Sequence, residues 1–541
     1  MRFAVLGAAG VAGGTSARAA TGSNTAVSAL HAATGKSGAS VPIIDAGVAQ
    51  LQAAMQAGRT SSRALVMAYL ARIEAVDRAG PRLNAIIELN PEAPAIAAAL
   101  DAERRTSGPR GPLHGIPILM KDKNATADRL QSTAGSLALV GARAPRDAFI
   151  VARLRAAGAV ILGKTNLSEW ANLRSSRSSS GWSARGGLTR NPYALDRNTS
   201  GSSSGSGAAV AASLAALAVG TETDGSIVSP ASICGLVGLK PTVGLLSRDG
   251  IVPIAQSQDT AGPMTRTVAD AAVLLGAMTG IDSRDGATAF SSGRATDYTR
   301  YLDADGLRGA RIGVARNAMG GNLRLQPIID AALATMRARG AILIDVEVPN
   351  MSKYGDSELE VLLYEFKAGL NKYLAEFGQG APVRTLADVI AFNDKNRARE
   401  MPYFDQELLV KAEAKGGLDS KEYLEALANN HRYSRTEGID QILREQRLDA
   451  LFAPTGGPAW ITDFVNADHS GDSFSSPAAV AGYPHVTVPA GFLAGLPIGV
   501  SFVGGAWSEG TLIKLAYGFE QATLHRRAPT YAAHASIGSA L

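Results

Sequence analysis

The chain has 541 residues, of which 46% are hydrophobic and 19% are charged, a composition typical of a folded globular protein with a large core. The net charge of +5 is small for this length and no run of five basic residues occurs, so binding to nucleic acid or to an anionic membrane surface is not predicted. The single cysteine, Cys234, excludes an internal disulfide, and no apolar run is long enough to predict a transmembrane helix.

The first 40 residues differ in composition from the rest. A basic start, a short apolar stretch and the sequence Ala17-Arg18-Ala19 are typical of an export signal, which would place the protein in the periplasm or outside the cell. A flexible N-terminal segment on a cytoplasmic protein is the alternative. We therefore expect one domain over residues 41–530, followed by a C-terminal tail over 531–541.

Helical and extended patterns alternate through the first half of the chain. Apolar residues at helical spacing from Asp45 predict two helices around a turn at Gly58–Thr60, with Ser61 or Ser62 as the cap of the second. The segments that follow predict, in chain order, a strand from Asn84, a helix over 91–105, a strand ending near Lys121, a helix over 148–157 and a strand over 159–164. This alternation predicts an α/β fold with helices packed on a sheet.

The second half contains a region with no catalytic-looking cluster. We interpret residues 307–451 as a helical covering that shapes one wall of a pocket. The region begins with predicted strands at 311–315 and 341–349 on either side of a helix at 326–339. Further helices are predicted at 359–374, 386–392, 403–414, 421–431 and 439–446. Three strands at 448–455, 485–492 and 497–505, and a helix at 512–525, then return to the sheet.

The segment from Thr199 to Lys240 carries nine serines around an apolar middle, Ala208–Val219, that reads as buried. Buried hydroxyls need hydrogen-bond partners. Two serine-bearing turns, at 201–206 and 223–227, each precede a helical pattern, and backbone N–H groups at helix starts suit an anion or a developing oxyanion. No phosphate-binding loop motif is present. A flexible Ser/Gly linker is the alternative for the first turn.

A nucleophilic serine needs a base, and none of the seven histidines lies in a recognisable triad motif. Lys121 ends an apolar strand, where burial would lower its pKa and favour the neutral amine that accepts a proton. A solvent-facing Lys121 paired with Asp122 is the alternative, and Lys123 is a rival for the same role.

The segments GIPILMKD, GSSSGS, GTETDGSI and CGLVGLKPT, in this order and spacing, resemble the amidase signature family. The resemblance implies a large twisted mixed β-sheet covered by α-helices on both faces, and amide hydrolysis without a metal or cofactor. It implies that Lys121 is the general base, that Ser202 is a bridging serine on a cis peptide bond, and that Ser226 is the nucleophile. The oxyanion would be held by the backbone amides of Thr223, Asp224, Gly225 and Ser226. Most members have glycine where this chain has Asp224.

Several further segments, TNLSEWAN, SGWSARGG, RNPY and SRDGI among them, resemble bacterial peptide amidases in particular and imply the C-terminal carboxamide of a peptide as substrate. The candidate substrate contacts are Ser203 and Trp182, which lies in the loop Ser175–Arg190. A turn that supports the nucleophile loop is expected at Asp259, Thr260, Gly262 and Pro263. The alternatives within the family are a general aliphatic or aryl amidase and a glutaminase-like component of an amidotransferase. Outside the enzymes, an anion- or peptide-binding protein with an inactive pocket is the alternative.

Overall fold

One large sheet positions the serine-bearing turns and the lysine. The structure is a computed structural model, and it describes residues 43–294 and 296–536. Within those residues eleven strands form this sheet. The proposed export signal at 1–40 lies outside the described residues, as does the end of the proposed C-terminal tail.

The strands of the sheet have the following bounds: β1 Ile86–Leu89, β2 Pro117–Lys121, β3 Val160–Thr165, β6 Leu217–Glu222, β7 Val237–Lys240, β8 Thr260–Thr265, β9 Arg311–Ala315, β10 Ile342–Val346, β11 Ala450–Pro454, β12 His485–Leu493 and β13 Leu496–Val503. These strands lie side by side in the order β1-β3-β2-β6-β8-β7-β12-β13-β11-β9-β10. A separate two-stranded ribbon pairs β4 Trp182–Ser183 with β5 Gly187–Leu188.

The α-helices of the described residues are α1 Val48–Gln56, α2 Ser62–Arg72, α3 Ala93–Ser107, α4 Phe149–Ala156, α5 Ser204–Ala211, α6 Val228–Ile233, α7 Val268–Met278, α8 Gln326–Ala338, α9 Gly355–Phe377, α10 Leu386–Lys395, α11 Arg397–Glu400, α12 Glu407–Glu413, α13 Lys421–His431, α14 Asp440–Gln446, α15 Ser476–Ala481 and α16 Glu509–Thr523. Ser61 caps α2 by accepting a hydrogen bond from the amide of Ala64, as the sequence predicts.

The sheet is mixed. Strand β2 runs parallel to β3 and β6 on its two sides, whereas β6 and β8 are antiparallel. All residues of β2, β3 and β6 are buried. Their sequences are nearly continuously apolar because a strand covered on both faces does not need alternating apolar and polar residues. The predicted α/β architecture with a mixed sheet and surrounding helices is confirmed.

The predicted helical covering is present, with shifted boundaries. Its longest helix, α9, extends beyond the predicted segment at both ends, whereas α12 begins four residues later than the helix predicted over 403–414. Helix α9 packs against α13 through Val361, Tyr364, Tyr423 and Ala426. The covering therefore has a small core of its own.

The expected turn at Asp259–Pro263 is wrong for three of its four residues. Thr260, Gly262 and Pro263 lie in β8, between β6 and β7, with Pro263 opposite Val219. Gly and Pro are typical turn residues, but a Cβ on Gly262 would lie 2.1 Å from the carbonyl oxygen of Leu239. Glycine at this position therefore allows the two strands to pack closely. This requirement depends on a residue elsewhere in the chain, so local turn preferences could not predict it.

Ile43 and the described residues that follow it belong to one compact unit. None of the helices in residues 43–294 and 296–536 combines the length and the apolar character that crossing a membrane requires.

Candidate active site

Lys121 ends strand β2 and is completely buried. Its Nζ lies 2.8 Å from the Oγ of Ser202, 3.0 Å from the Oγ of Ser203 and 3.1 Å from the carbonyl oxygen of Thr221. Because β2 and β6 are parallel neighbours, the end of β2 lies beside Thr221 near the end of β6. The solvent-facing alternative for Lys121 is therefore wrong.

The surroundings of Lys121 hold its pKa well below the usual value for lysine. Burial is the main cause, and the nearby charge of Lys123 acts in the same direction, whereas Asp259 and Glu222 act against them. Charged ammonium is disfavoured away from water unless a counter-ion lies against it, and no carboxylate of the described residues lies within ion-pair distance of Nζ. This site favours a neutral amine, which is the form that a general base requires.

The first serine-bearing turn is held by its own hydroxyl groups. The Gly201–Ser202 peptide bond is cis, and the carbonyl of Ser202 accepts a hydrogen bond of 3.1 Å from the amide of Ser168. A Cβ on Gly201 would lie 2.2 Å from the Oγ of Ser168, so only glycine fits there. The Oγ of Ser204 donates to the carbonyl of Ser200 at 2.6 Å. The turn is therefore held in place by hydrogen bonds and leads directly into α5, which excludes the flexible linker as an interpretation.

The second turn follows β6 and carries Ser226, whose exposed fraction is 7%. One Glu222 carboxylate oxygen accepts hydrogen bonds from the amides of Ile227 and Val228, at 2.7 and 3.0 Å, and so fixes the entry to α6. Gly225 has a φ of +74°, in the left-handed region that favours glycine. The amide of Ser203 donates to the carbonyl of Ser226 at 3.2 Å, which ties the two turns together.

Asp259 supports this turn, as the sequence predicts for that residue. Its Oδ1 accepts a hydrogen bond of 2.5 Å from the hydroxyl of Thr223, and its Oδ2 accepts two from the amides of Ile254 and Ala255. The carboxylate therefore joins the Ser226 turn to the loop before β8.

The side chain of Asp224 turns towards α15, where its Oδ2 accepts a hydrogen bond of 2.6 Å from the hydroxyl of Ser476. It also lies against the carboxyl group of Glu358 on α9. Burial raises the pKa of both groups, that of Glu358 well above its usual range, and the neighbouring Asp224 charge adds to that rise. Glu358 also accepts a hydrogen bond of 2.9 Å from the side-chain amide of Gln258. Protonation of Glu358, which this rise in pKa favours, keeps a second negative charge away from Asp224 and its turn.

Of the two candidate substrate contacts, Ser203 is fully buried, and its hydroxyl contacts Lys121 and the backbone of Thr221. Trp182 lies in the β4–β5 ribbon, with its ring edge-to-face against Tyr403 at 5.5 Å and Phe404 at 5.3 Å. The loop Ser175–Arg190 therefore packs under the helical covering rather than lying free on the surface. Contact of Ser203 or Trp182 with substrate stays a prediction.

Sequence reasoning missed two buried groups, one beside the Ser226 turn and one under the helical covering. Glu358 comes from the helical covering, more than 100 residues from the Ser226 turn, and no spacing in the sequence joins them. Arg174, completely buried, forms an ion pair with Glu169 and donates to the carbonyls of Glu400 and Phe404. The sequence signal for the second group was Glu169, the charged residue within the segment TNLSEWAN.

Comparison with known proteins agrees with this geometry. The family model described as Amidase matches residues 64–513. A probable amidase of Arabidopsis thaliana is 43% identical over 502 residues, spanning 91% of this chain and 92% of the relative. A glutamyl-tRNA(Gln) amidotransferase component of Halorhodospira halophila is 37% identical, spanning 89% of this chain and 98% of that protein.

Among solved structures, the native peptide amidase from Stenotrophomonas maltophilia is similar at 54% identity with a TM-score of 0.87, covering 91% of this chain and 99% of that one. These matches extend over nearly the whole domain, including both serine-bearing turns and the Lys121 strand. A binding protein without enzymatic activity is therefore discarded as an interpretation. The chain belongs to the amidase signature family and is an amidase that hydrolyses amide C–N bonds.

Proposed function

We propose that the protein releases ammonia from the C-terminal carboxamide of peptides through a Ser-Ser-Lys relay. The observation that carries the relay is the 2.8 Å hydrogen bond between the buried amine of Lys121 and the hydroxyl of Ser202. The peptide-amide substrate is supported by the similarity to the Stenotrophomonas peptide amidase over 91% of this chain.

In the acylation step the neutral amine of Lys121 takes a proton from Ser202, Ser202 takes one from Ser226, and the Ser226 Oγ forms a bond to the amide carbonyl carbon. General-base catalysis of this kind is typically worth ~100- to 10,000-fold. The carbonyl oxygen becomes an oxyanion, for which the backbone amides of the turn Thr223–Ser226 are the proposed donors. Each such donor is typically worth roughly 100- to 1,000-fold.

Collapse of the tetrahedral intermediate breaks the C–N bond. The proton held on Lys121 returns through Ser202 to the leaving nitrogen, which departs as ammonia and leaves an ester on Ser226. Water then attacks that ester, gives its proton to the same relay, and releases a free carboxylate and the Ser226 hydroxyl. The net reaction consumes one amide and one water, so it requires no further reactant.

A second candidate is the ammonia-supplying role within an amidotransferase, favoured by the 37% identity to the Halorhodospira protein. Both roles use the same amide chemistry and differ in the substrate. A general aliphatic or aryl amidase differs from both by accepting small amides without a peptide body.

The test is ammonia release by the purified protein from a dipeptide amide, from glutamine and from benzamide, with the corresponding free-acid dipeptide as a control. The proposal expects kcat/KM for the dipeptide amide to exceed that for the other two amides by at least about tenfold. Preference for glutamine would support the amidotransferase role, and preference for benzamide would support a general amidase.

A further inference from the structure

A polar cavity lies beside Lys121. It has a volume of about 520 Å³ and runs between the loop before β8 and helix α9. We call it the Lys123 cavity and define it by its inner residues Lys123, Thr221 and Asp259, and by Lys372 and Phe377 on α9. Its volume falls in the range of small-molecule sites.

The cavity meets the site through Thr221 and through Asp259, which accepts a hydrogen bond from Thr223 of the Ser226 turn. Thr221 lines it, and the carbonyl of Thr221 accepts a hydrogen bond from Lys121. Ser202, Ser203 and Ser226 do not line it. The cavity is therefore a neighbour of the serine relay and not the relay's own pocket.

Lys123 lies at the inner end with an exposed fraction of only 3%. Within the described part of the chain its ammonium group makes no hydrogen bond and no ion pair; only its backbone is engaged, with Lys121 and Val252. Burial lowers the pKa of Lys123, and the nearby charge of Asp259 acts against this shift. A ligand that supplies a further counter-charge would stabilise the ammonium form of Lys123.

The other charges along the wall largely cancel. Arg146 pairs with Asp249 and Glu376, Arg248 with Asp285, and Arg284 with Asp249. Asp259 already accepts hydrogen bonds from Thr223 and from two backbone amides. Five cations and four anions line the cavity and leave one net positive charge, which suits a ligand with a single negative charge.

The rest of the wall is apolar. Ile251, Pro253, Tyr373 and Phe377 face the cavity, and of these Ile251, Tyr373 and Phe377 are buried residues. An inorganic anion would leave this surface without a partner, whereas an organic acid would cover it with its apolar body.

We infer that the Lys123 cavity is a binding site for a small organic monocarboxylate, whose carboxylate pairs with the ammonium of Lys123 at the inner end. The body of the ligand lies against the apolar wall, and Lys372 stands exposed near the opening.

Occupation of this site has a consequence for the relay, which rests on the proposed function. Burial and, after it, the charge of Lys123 lower the pKa of Lys121, whereas Asp259 and Glu222 act against them. A carboxylate paired with Lys123 offsets that charge, raises the pKa of Lys121 and reduces the fraction of neutral base at a given pH. The ligand therefore acts as an inhibitor whose effect weakens as the pH rises.

The binding test is isothermal titration calorimetry of the full chain with benzoate, with benzyl alcohol as the neutral probe of similar shape and inorganic phosphate as the multiply charged probe. Binding at a single site is expected for benzoate, with benzyl alcohol and phosphate each weaker by at least about tenfold. No benzoate binding, or binding of either comparison probe as tight as that of benzoate, overturns the assignment.

Two variants locate the site. Lys123→Met keeps the length of the side chain and removes its charge, so benzoate affinity should fall by at least about tenfold. Lys421→Met, at a surface lysine with a side-chain exposed fraction of 81%, should leave the affinity unchanged. Unchanged affinity in a folded Lys123→Met protein overturns the proposal. If that variant does not fold, Lys372→Met at the opening replaces it, with a smaller loss expected and no loss overturning the proposal.

The calorimetry involves no turnover, so it succeeds or fails independently of the proposed function. A kinetic arm tests the coupling: benzoate should move the acid limb of kcat/KM to higher pH in the wild type and not in Lys123→Met. Binding without such a movement supports the site and rejects its action on Lys121.

Discussion

Two lysines in the described part of the chain end buried strands, and one of the two lies among groups that can pass a proton onward. Lys121 ends β2 and Lys240 ends β7, and both are completely buried. The amine of Lys240 donates to the backbone carbonyls of Tyr483, at 2.6 Å, and Pro241, at 3.2 Å. The amine of Lys121 contacts two serine hydroxyls as well as a carbonyl.

Burial lowers the pKa of both lysines, that of Lys240 to about 8 with the carboxylates of Glu222 and Glu509 acting against the shift. A lowered pKa is thus a common result of burial in this fold and does not by itself identify a base. The partners make the difference, because a carbonyl can only accept a hydrogen bond, whereas a hydroxyl accepts and donates.

The largest expected effect is that of removing the proposed nucleophile, Ser226. Ser226→Ala should reduce ammonia release on the order of 10,000-fold or more, because no bond to the amide carbon can form. The thermal unfolding midpoint should change little, since the substitution removes one oxygen from a small side chain. Turnover at the wild-type rate in this variant would place the nucleophile elsewhere.

Replacing each lysine in turn tests the comparison directly. Lys121→Met should lower kcat/KM by ~100- to 10,000-fold, because the relay then has no terminal base. Lys240→Met should instead lower the unfolding midpoint, since two buried carbonyls lose their donor. Steady-state kinetics and thermal denaturation on both variants provide the measurement. A similar loss of kcat/KM in the two folded proteins would mean that the partners of the amine do not matter.

The two hydroxyls that contact Lys121 should also differ. Ser202→Ala breaks the proposed relay and should cost ~100-fold or more in kcat/KM. Ser203→Ala removes a hydrogen bond that positions Lys121 and the backbone of Thr221, worth about 1 kcal/mol, and should cost roughly tenfold or less. The pH dependence of kcat/KM should keep its shape in Ser203→Ala. The reverse ranking would assign the relay to Ser203.

The smallest effect is expected at the Asp224–Glu358 pair. The pKa of Glu358 is raised in the folded protein, so the folded state binds its proton more tightly than the unfolded state, and stability is lost as the pH rises above the unfolded value. Glu358→Gln removes this loss while keeping an acceptor for Gln258. The unfolding midpoint of the variant relative to wild type should therefore increase from acid to neutral pH. A difference that is constant with pH would contradict the raised pKa of Glu358 in the folded protein.

The sequence allowed the α/β architecture, the strand of Lys121 and both serine-bearing turns to be predicted, because each depends on local apolar runs or on contiguous motifs. The family resemblance favours Lys121 over Lys123 as the general base, and the hydrogen bond between Lys121 and Ser202 agrees with that choice. The strand around Pro263 and the pairing of Glu358 with Asp224 were not predictable, because each depends on residues far apart in the chain. The cancellation of charges around Lys123 also becomes visible only in three dimensions.

The central claim is that Lys121 acts as a neutral base, and the pH dependence of kcat/KM for a peptide amide tests it most directly. Between about pH 5 and pH 10, kcat/KM should rise about tenfold per pH unit and level off at an apparent pKa below the usual value for lysine, and this acid limb should be absent from the residual activity of Lys121→Met. A wild-type profile that is flat over this range, or an acid limb that persists unchanged in Lys121→Met, would contradict the claim.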